Sequence, residues 1–481
     1  MNTGKPCRLI CSLVFSVLSG FAGAQENYVV ERLPFSSRIF NDFAPAYYVE
    51  GIVFCSDRRT GIFQGYVANE NHETQSELFV VSRKDTTDWG EPGYFDETLR
   101  SIKFEGPAAF SPDGKQIYFT RNYDAGEKKK RKNGNPNYGI FVSRQENGEW
   151  TTPEPFPYNN PEYKTGHPCL SPDGSKLYFA SDQAGGFGGA DIYVCELENG
   201  RWGRPRNLGP VINGPFHEMF PYVHSSGRLY FASDRPGGPG KLDIYFTVPV
   251  KTGWLQPICL PAPFNSPDDD FSFIAREDLS SGFFTSNRFR TDNIFEFRSV
   301  LPRLNTCKEV EENRFTYEIF EPGTRNLDTL TYEYEWDLDH GVIKRGRVVE
   351  HTFTPGDYLL KLNVVDTLTG AIMANVATYP LHIEKLEQVH IAASDTVYTG
   401  EEVLFSGEDT YLPEMIIGEY YWNFGDGTGT TGMEARHVFL VPGVYRVQLI
   451  AESRATHAEN RERVCGMKKI VVLYNPGEVL P

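Results

Sequence analysis

Charged side chains recur at matching places along the first three hundred residues, and their spacing limits the chemistry the chain can host. One set comprises Asp42, Glu105, His167, His217 with Glu218, and the run Asp268-Asp269-Asp270. A second starts at Asp57, Asn122, Asp182, Asp234 and Asn287 and continues into Arg58 and Arg59, Arg235, Arg288 and Arg290. Carboxylates so placed could form a glycosidase acid/base pair, but no spacing selects two of them. The run Asp268 to Asp270 offers the hard oxygen ligands that Ca2+ takes, as an isolated acidic stretch. Nucleophilic hydrolysis lacks its turn, because no Gly-x-Ser-x-Gly occurs. His217-Glu218 leads into Met219-Phe220-Pro221, which cannot continue as a zinc-binding helix. Lys128-Lys129-Lys130-Arg131-Lys132 makes five consecutive cations, either a solvated loop tip or a dock for an anionic surface.

The elements that position these residues come from a repeated phrase. Ser111-Pro112-Asp113-Gly114 followed by Ile117-Tyr118-Phe119 recurs as Ser171-Pro172-Asp173-Gly174 with Leu177-Tyr178-Phe179. A worn copy runs Ser225-Ser226-Gly227 with Leu229-Tyr230-Phe231. Each reads as a tight turn between two strands, the Gly supplying positive φ. Phe54, Phe119, Phe179, Phe231 and Phe284 mark the second strand of five units, at intervals of 65, 60, 52 and 53 residues. A third strand follows each, and Trp-x-x-Pro closes four of them, at Trp89, Trp150, Trp202 and Trp254. Repeats of this period indicate a β-propeller. The fifth unit lacks an outer strand, whereas Val29 to Pro45 resembles the segment Asn207 to Pro221. An amino-terminal strand completing the last blade would remove the open edge. The reading is an all-β, five-bladed propeller, with six blades as the alternative.

In that architecture the loops entering the inner strands and those joining second to third strands open on one face. Asp57, Arg58, Arg59, Asp182, Asp234, Arg235, Asp269, Asp270, Arg288 and the cations Lys128 to Lys132 are then candidate partner-binding residues. Mixed charge at one mouth suits a polar peptide or protein tail. The competing reading is that Asp182 and Asp234 cap the turns before Gly185-Gly186 and Gly237-Gly238.

The first 24 residues read as a secretory signal: Lys5 and Arg8, an apolar run from Leu9 to Phe21, and Ala22-Gly23-Ala24 as a cleavage site. Its removal takes the formal charge from −17 to −19, because two cations and no anions leave. That acidity argues against nucleic acid. No other stretch is apolar enough for a membrane helix, so no transmembrane segment is expected in the mature chain. Of the eight cysteines, six remain, and four fall inside expected propeller strands as buried thiols, with no bridge assigned.

Past Asn305 a second repeat begins. Trp336-Asp337-Leu338-Asp339-His340-Gly341 leads to His351-Thr-Phe353 and Pro355-Gly356-Asp357-Tyr358. Trp422-Asn423-Phe424-Gly425-Asp426-Gly427 leads to His437-Val-Phe439 and Pro442-Gly443-Val444-Tyr445. Two tandem β-sandwiches are expected, at 305–386 and 387–475, after a propeller at 25–304 and before a tail at 476–481. These motifs resemble the PKD domain, closely in the second copy and with an altered turn in the first. The Ser-Pro-Asp-Gly phrase with Asp191-Ile-Tyr193 and Asp243-Ile-Tyr245 resembles the TolB-type propeller repeat. The combination is similar to envelope proteins of the Bacteroidota, including PorE-like components associated with type IX secretion.

What the resemblance implies is a non-catalytic exported protein, in the periplasm, at the outer membrane or on the cell surface, that binds an envelope protein or peptide. The sandwiches would act as spacer or second binding site. A carbohydrate-binding surface protein is the alternative, and a hydrolase using mouth carboxylates the second. No cofactor is expected, apart from the weak Ca2+ suggestion.

Overall fold

The computed structural model describes residues 27–49, 51–58, 76–85, 88–101, 104–123, 137–250, 253–302, 304, 306–322, 331–454 and 461–475. They form two compact units, one of residues up to Pro302 with Asp426–Thr430 and the residues from Tyr474 on, the other of the rest from 303 to Leu473. The described residues form an all-β fold, and none of their helices is long and apolar enough to cross a membrane.

Among its described residues the first unit holds five antiparallel sheets of four or five strands, and a two-stranded hairpin beside one of them. The inner strands of the five sheets are Asp42–Tyr48, Glu105–Phe110, Thr165–Leu170, Glu218–Val223 and Asp270–Ala275. Each inner strand lies against the next, and the last against the first, so the sheets surround a common axis as in a β-propeller. The Ser-Pro-Asp-Gly turns fold as their chemistry dictates. Ser111 and Ser171 accept the amides of Gln116 and Lys176 on their hydroxyls, and Gly114 and Gly174 take φ of 69° and 71°. Each Trp-x-x-Pro delivers its Pro to the residue before a two-residue outer strand, such as Glu154–Pro155 or Arg206–Asn207. An absent N–H costs nothing there.

Phe54, Phe119, Phe179, Phe231 and Phe284 are all 1% exposed or less. Four of them stack on a third-strand ring (Phe79, Tyr193, Tyr245 and Phe295) at centroid distances of 5.6 to 6.1 Å. The fifth sheet is completed by the strand Tyr28–Arg32, antiparallel to Asn293–Ser299 with Val30 opposite Phe297. Leu33 (2% exposed) continues that contact by donating its amide to the Ile294 carbonyl at 2.9 Å.

The second unit holds two β-sandwiches of one topology. Strands Thr316–Phe320 and Val348–Thr352 face a sheet of Tyr332–Asp337, Gly356–Asp366 and Ile372–Ile383. Strands Glu402–Ser406 and Glu434–Val438 face the equivalent sheet of Ile417–Asn423, Gly443–Ser453 and Arg463–Leu473. Trp336 and Trp422 are buried at the two centres. The Trp422 indole donates to the Gly432 carbonyl at 2.8 Å, whereas the Trp336 indole N–H has no hydrogen-bond partner. Tyr358 and Tyr445 close matching corners through the carbonyls of Thr354 and Val441, each at 2.9 Å.

Cys307 and Cys465 form a disulfide across 158 residues, which the sequence reading left unassigned. Cys55, Cys169 and Cys195 are buried thiols, and Cys259 is a partly buried one.

Candidate functional site

The mouth charges anticipated as a binding rim are engaged inside the sheets. In four of five sheets the acid that opens the inner strand faces an arginine at the end of the second strand or just after it. Arg58 meets Asp42 at 2.6 Å, Arg121 meets Glu105 at 2.8 Å, Arg235 meets Glu218 at 3.0 Å and Arg288 meets Asp270 at 2.7 Å. All four acids are 1% exposed or less.

Each guanidinium also donates to a carbonyl of the loop entering from the preceding outer strand: Phe35, Leu99, Ile212 or Phe264. In three sheets its Nε donates to the serine that ends the second strand, Ser56, Ser233 or Ser286. The same guanidinium lies over the buried phenylalanine of that strand, at 4.8 to 5.3 Å. A group so surrounded is a clasp that joins three chain segments. Arg58, Arg235, Arg288 and Asp270, expected as partner-binding residues, are thus held by groups of their own sheets. Burial raises the carboxyl of Glu105 to about 7 against the pull of Arg121, and raises that of Glu218. In the third sheet Thr165 and Gln183 occupy the two clasp positions, and the buried Thr165 hydroxyl has no partner.

The loop acids serve as caps. Asp57 accepts the amide of Asn41, Asp182 that of Lys164 and Asp234 that of His217, at 2.7 to 2.8 Å, and Asn287 does the same for Asp269. Each thereby fixes the residue just before an inner strand. Asp269 in turn accepts from Leu242 and Asn287. Two members of the acidic run are thus engaged by protein groups, and among the described residues no three potential ligands converge as a metal site. Arg59 and Lys128 to Lys132 lie outside the described residues.

The axis itself carries a different candidate. A cavity of about 220 Å³ is lined by all five inner strands, and no Lys, Arg, Asp or Glu lines it. The third residue of four inner strands, Ala44, His167, Phe220 and Ser272, has φ of 52° or 53°, where the strand register shifts. Non-glycine residues held there cost about 1–3 kcal/mol each, so surrounding contacts must impose them. Two of those contacts are visible: Ala44 donates its amide to Thr285 and His167 donates to Thr120, each on the preceding sheet. The remaining inner strand, Glu105–Phe110, has Pro107 at this place, which has no amide to satisfy.

Around the ring the wall is uneven. The imidazole of His167 stacks on Phe220 at 4.0 Å, and Phe220 meets Phe271 at 4.8 Å. Opposite them stand Ala44, Pro107 and Ser272. The Ser272 hydroxyl and the Tyr47 hydroxyl are buried and have no hydrogen-bond partner. Both hydroxyls are shut off from the cavity, and Tyr47 is in electrostatic reach of Arg276, Glu296 and Arg83, none of which lines it. The cavity wall carries no carboxylate, lysine or arginine, which favours a neutral guest. Nothing in the charge pattern pointed to this site. Its one sequence signal is the third residue of each inner strand, followed by Pro in Ala44-Pro45, His167-Pro168 and Phe220-Pro221.

Burial, and secondarily Lys164, lowers the His167 imidazole to about 4. Its unfolded value is about 6.5. The folded state therefore binds fewer protons, and stability present above pH 6.5 is lost as pH falls through 4. His167→Asn is expected to remove on the order of 2 kcal/mol of that acid sensitivity between pH 7 and pH 4. Urea denaturation at the two pH values checks it.

Comparison with known proteins bears on the second unit. Residues 387–465 match the family model described as PKD domain. Collagenase ColA of Bacillus cereus is 32% identical over 85 residues, covering 17% of this chain and 9% of the collagenase, so the chain spans a small part of that relative. Among solved structures, putative TolB from Agrobacterium tumefaciens aligns with a TM-score of 0.32 and 13% identity, over 74% of this chain and 90% of that one. An α-L-arabinofuranosidase from Lactobacillus brevis aligns with a TM-score of 0.37 and 13% identity, over 57% and 94%. Likenesses this distant carry no functional argument, and the propeller rests on its own strand topology.

Proposed function

We propose that this chain is an exported, non-catalytic interaction protein. Its ring is complete at five blades and binds an uncharged segment of an envelope partner at the central channel, and its two sandwiches, both PKD-like, act as a spacer. The observation that carries this reading is the division of labour around the ring. The ionised groups of the mouth are clasped within their own sheets, whereas no carboxylate, lysine or arginine lines the channel. The hydrolase alternative is disfavoured by the same clasps, because each acid that opens an inner strand in four sheets already faces an arginine. Export agrees with the signal-like leader and with the oxidised Cys307–Cys465 pair. The resemblance to TolB-type and PorE-like envelope proteins supports a periplasmic or outer-membrane setting.

The test fills the channel from a wall position in ordinary strand conformation, Ala109→Trp. Immobilised mature protein should capture a partner from envelope extract, and the variant should retain less than a tenth of it while keeping its far-ultraviolet spectrum. Capture that survives the filling, retention on polysaccharide columns alone, or sugar or ester turnover abolished by Asp269→Ala would each refute the proposal.

A further inference from the structure

In the sandwich that contains Trp422, strand Arg463–Leu473 has Gly443–Ser453 along one side and two parallel segments along its other edge. Lys308–Glu309 lies opposite Gly466 and Met467, and Thr396–Tyr398 lies opposite Val471 to Leu473. Three backbone groups hold them. The Met467 carbonyl accepts from Val310 at 2.9 Å, the Val471 amide donates to Asp395 at 2.8 Å, and the Leu473 carbonyl accepts from Thr399 at 2.9 Å.

Strand Ile372–Ile383 holds the same place in the sandwich that contains Trp336: Gly356 pairs with Ile383 as Gly443 pairs with Val472. Carried across, that register puts Thr378, His382 and Glu384 where Met467, Val471 and Leu473 stand. Among the described residues no strand pairs with this edge.

The segment that ought to cover it is committed elsewhere. Thr396 precedes Glu402, the start of the facing strand, by six positions. Six positions before Thr316, the start of the equivalent strand, is Val310. Val310 bonds to Met467, Glu311 exchanges hydrogen bonds with the Gln388 side chain, and Cys307 is bonded to Cys465. One sandwich has thus taken its neighbour's parallel strand and fastened it covalently.

Strand Ile372–Ile383 exposes apolar side chains just before the Thr378–Glu384 stretch, which itself carries Pro380 and a His382 that meets Asp357 and Glu384. Ile372, Met373 and Val376 are each more than half exposed. The neighbour's strand is entered through the charged Arg461, Glu462 and Arg463 instead. Natural edges that stay unpaired are blunted by charge and proline. Pro380, which pairs with Leu359, is the equivalent of Lys469, a position that neither parallel segment pairs with. The strand's irregularity at Asn375 lies beyond the Thr378–Glu384 stretch.

We propose that this edge binds an extended strand of a separate polypeptide. The strand runs parallel to Ile372–Ile383, bonds to the backbone at Thr378, His382 and Glu384, and carries apolar side chains at alternate positions. A second copy of this chain is the weaker occupant, because an edge paired with itself across a two-fold axis runs antiparallel, and both strands at the equivalent edge are parallel.

The probe is a labelled synthetic peptide of residues 393–400, the neighbour's own parallel strand, added to the full mature chain. Saturable binding is expected, with hydrogen exchange at the His382 amide slowed at least tenfold. His382→Pro, which removes an outward-facing amide and leaves the pairing with Gly356–Asp366 intact, should weaken binding at least tenfold. Independently of any folding defect in that variant, His382→Cys should form a disulfide with the peptide bearing Cys for Thr396 in preference to Cys for Val397. Absence of saturable binding, equal binding to the proline variant, crosslinking without positional preference, or self-association through this edge in sedimentation would each overturn the proposal.

Discussion

Replacing Arg288 with Ala is expected to lower the stability of the propeller unit by about 3–5 kcal/mol, the cost of leaving a buried carboxylate unpaired. Asp270 would remain fully buried without its cation, and the Phe264 carbonyl would lose its donor. The guanidinium would also leave the faces of Phe284 and Phe295, which it covers at 5.3 and 4.8 Å. Thermal denaturation followed by near-ultraviolet circular dichroism should show a fall on the order of 10 °C, at a few degrees per kcal/mol for a unit of this size. Unchanged stability together with lost partner capture would instead make Arg288 a contact residue.

Deleting the chain through Leu33 is expected to have the larger effect, loss of the propeller's cooperative transition. The deletion strips the fifth sheet of the strand Tyr28–Arg32 and bares the whole outer edge of Asn293–Ser299. It also removes Tyr28, whose ring packs edge-on against Phe264 and Phe297 at 5.2 and 5.8 Å, and the buried Leu33. A long apolar edge of this kind is a template for pairing with other chains. The shortened protein should aggregate and bind the dye ANS, whereas the full chain should do neither. A truncated protein that melts like the full chain would show that the ring closes without its latch.

The parts of this architecture legible in the sequence are those written in local chemistry. The Ser-Pro-Asp-Gly turns, the Phe54-to-Phe284 ruler and the Trp-x-x-Pro closures each depend on residues a few positions apart. The latch was legible because Val29 to Pro45 repeats a segment found between other blades. The clasp was not legible, for a definite reason. An arginine beside Asp57, Asp234 or Asn287 in a loop reads as solvated, and its burial follows only from the acid that faces it. That acid lies 16 to 18 residues upstream in all four cases, a spacing that would have exposed the pairing. Cys307 and Cys465, so far apart in sequence, pair only once one sandwich has captured the other's strand.

The central claim, that the mouth charges hold the blades together and do not meet a partner, is tested most directly by a double-mutant cycle on Arg235 and Glu218. Stability is measured for Arg235→Ala, Glu218→Ala and the double variant. A coupling energy of about 2–3 kcal/mol is the expected result for a buried, hydrogen-bonded pair. Coupling below about 0.5 kcal/mol, the range of exposed pairs, would contradict the account and return these residues to the surface that meets a partner.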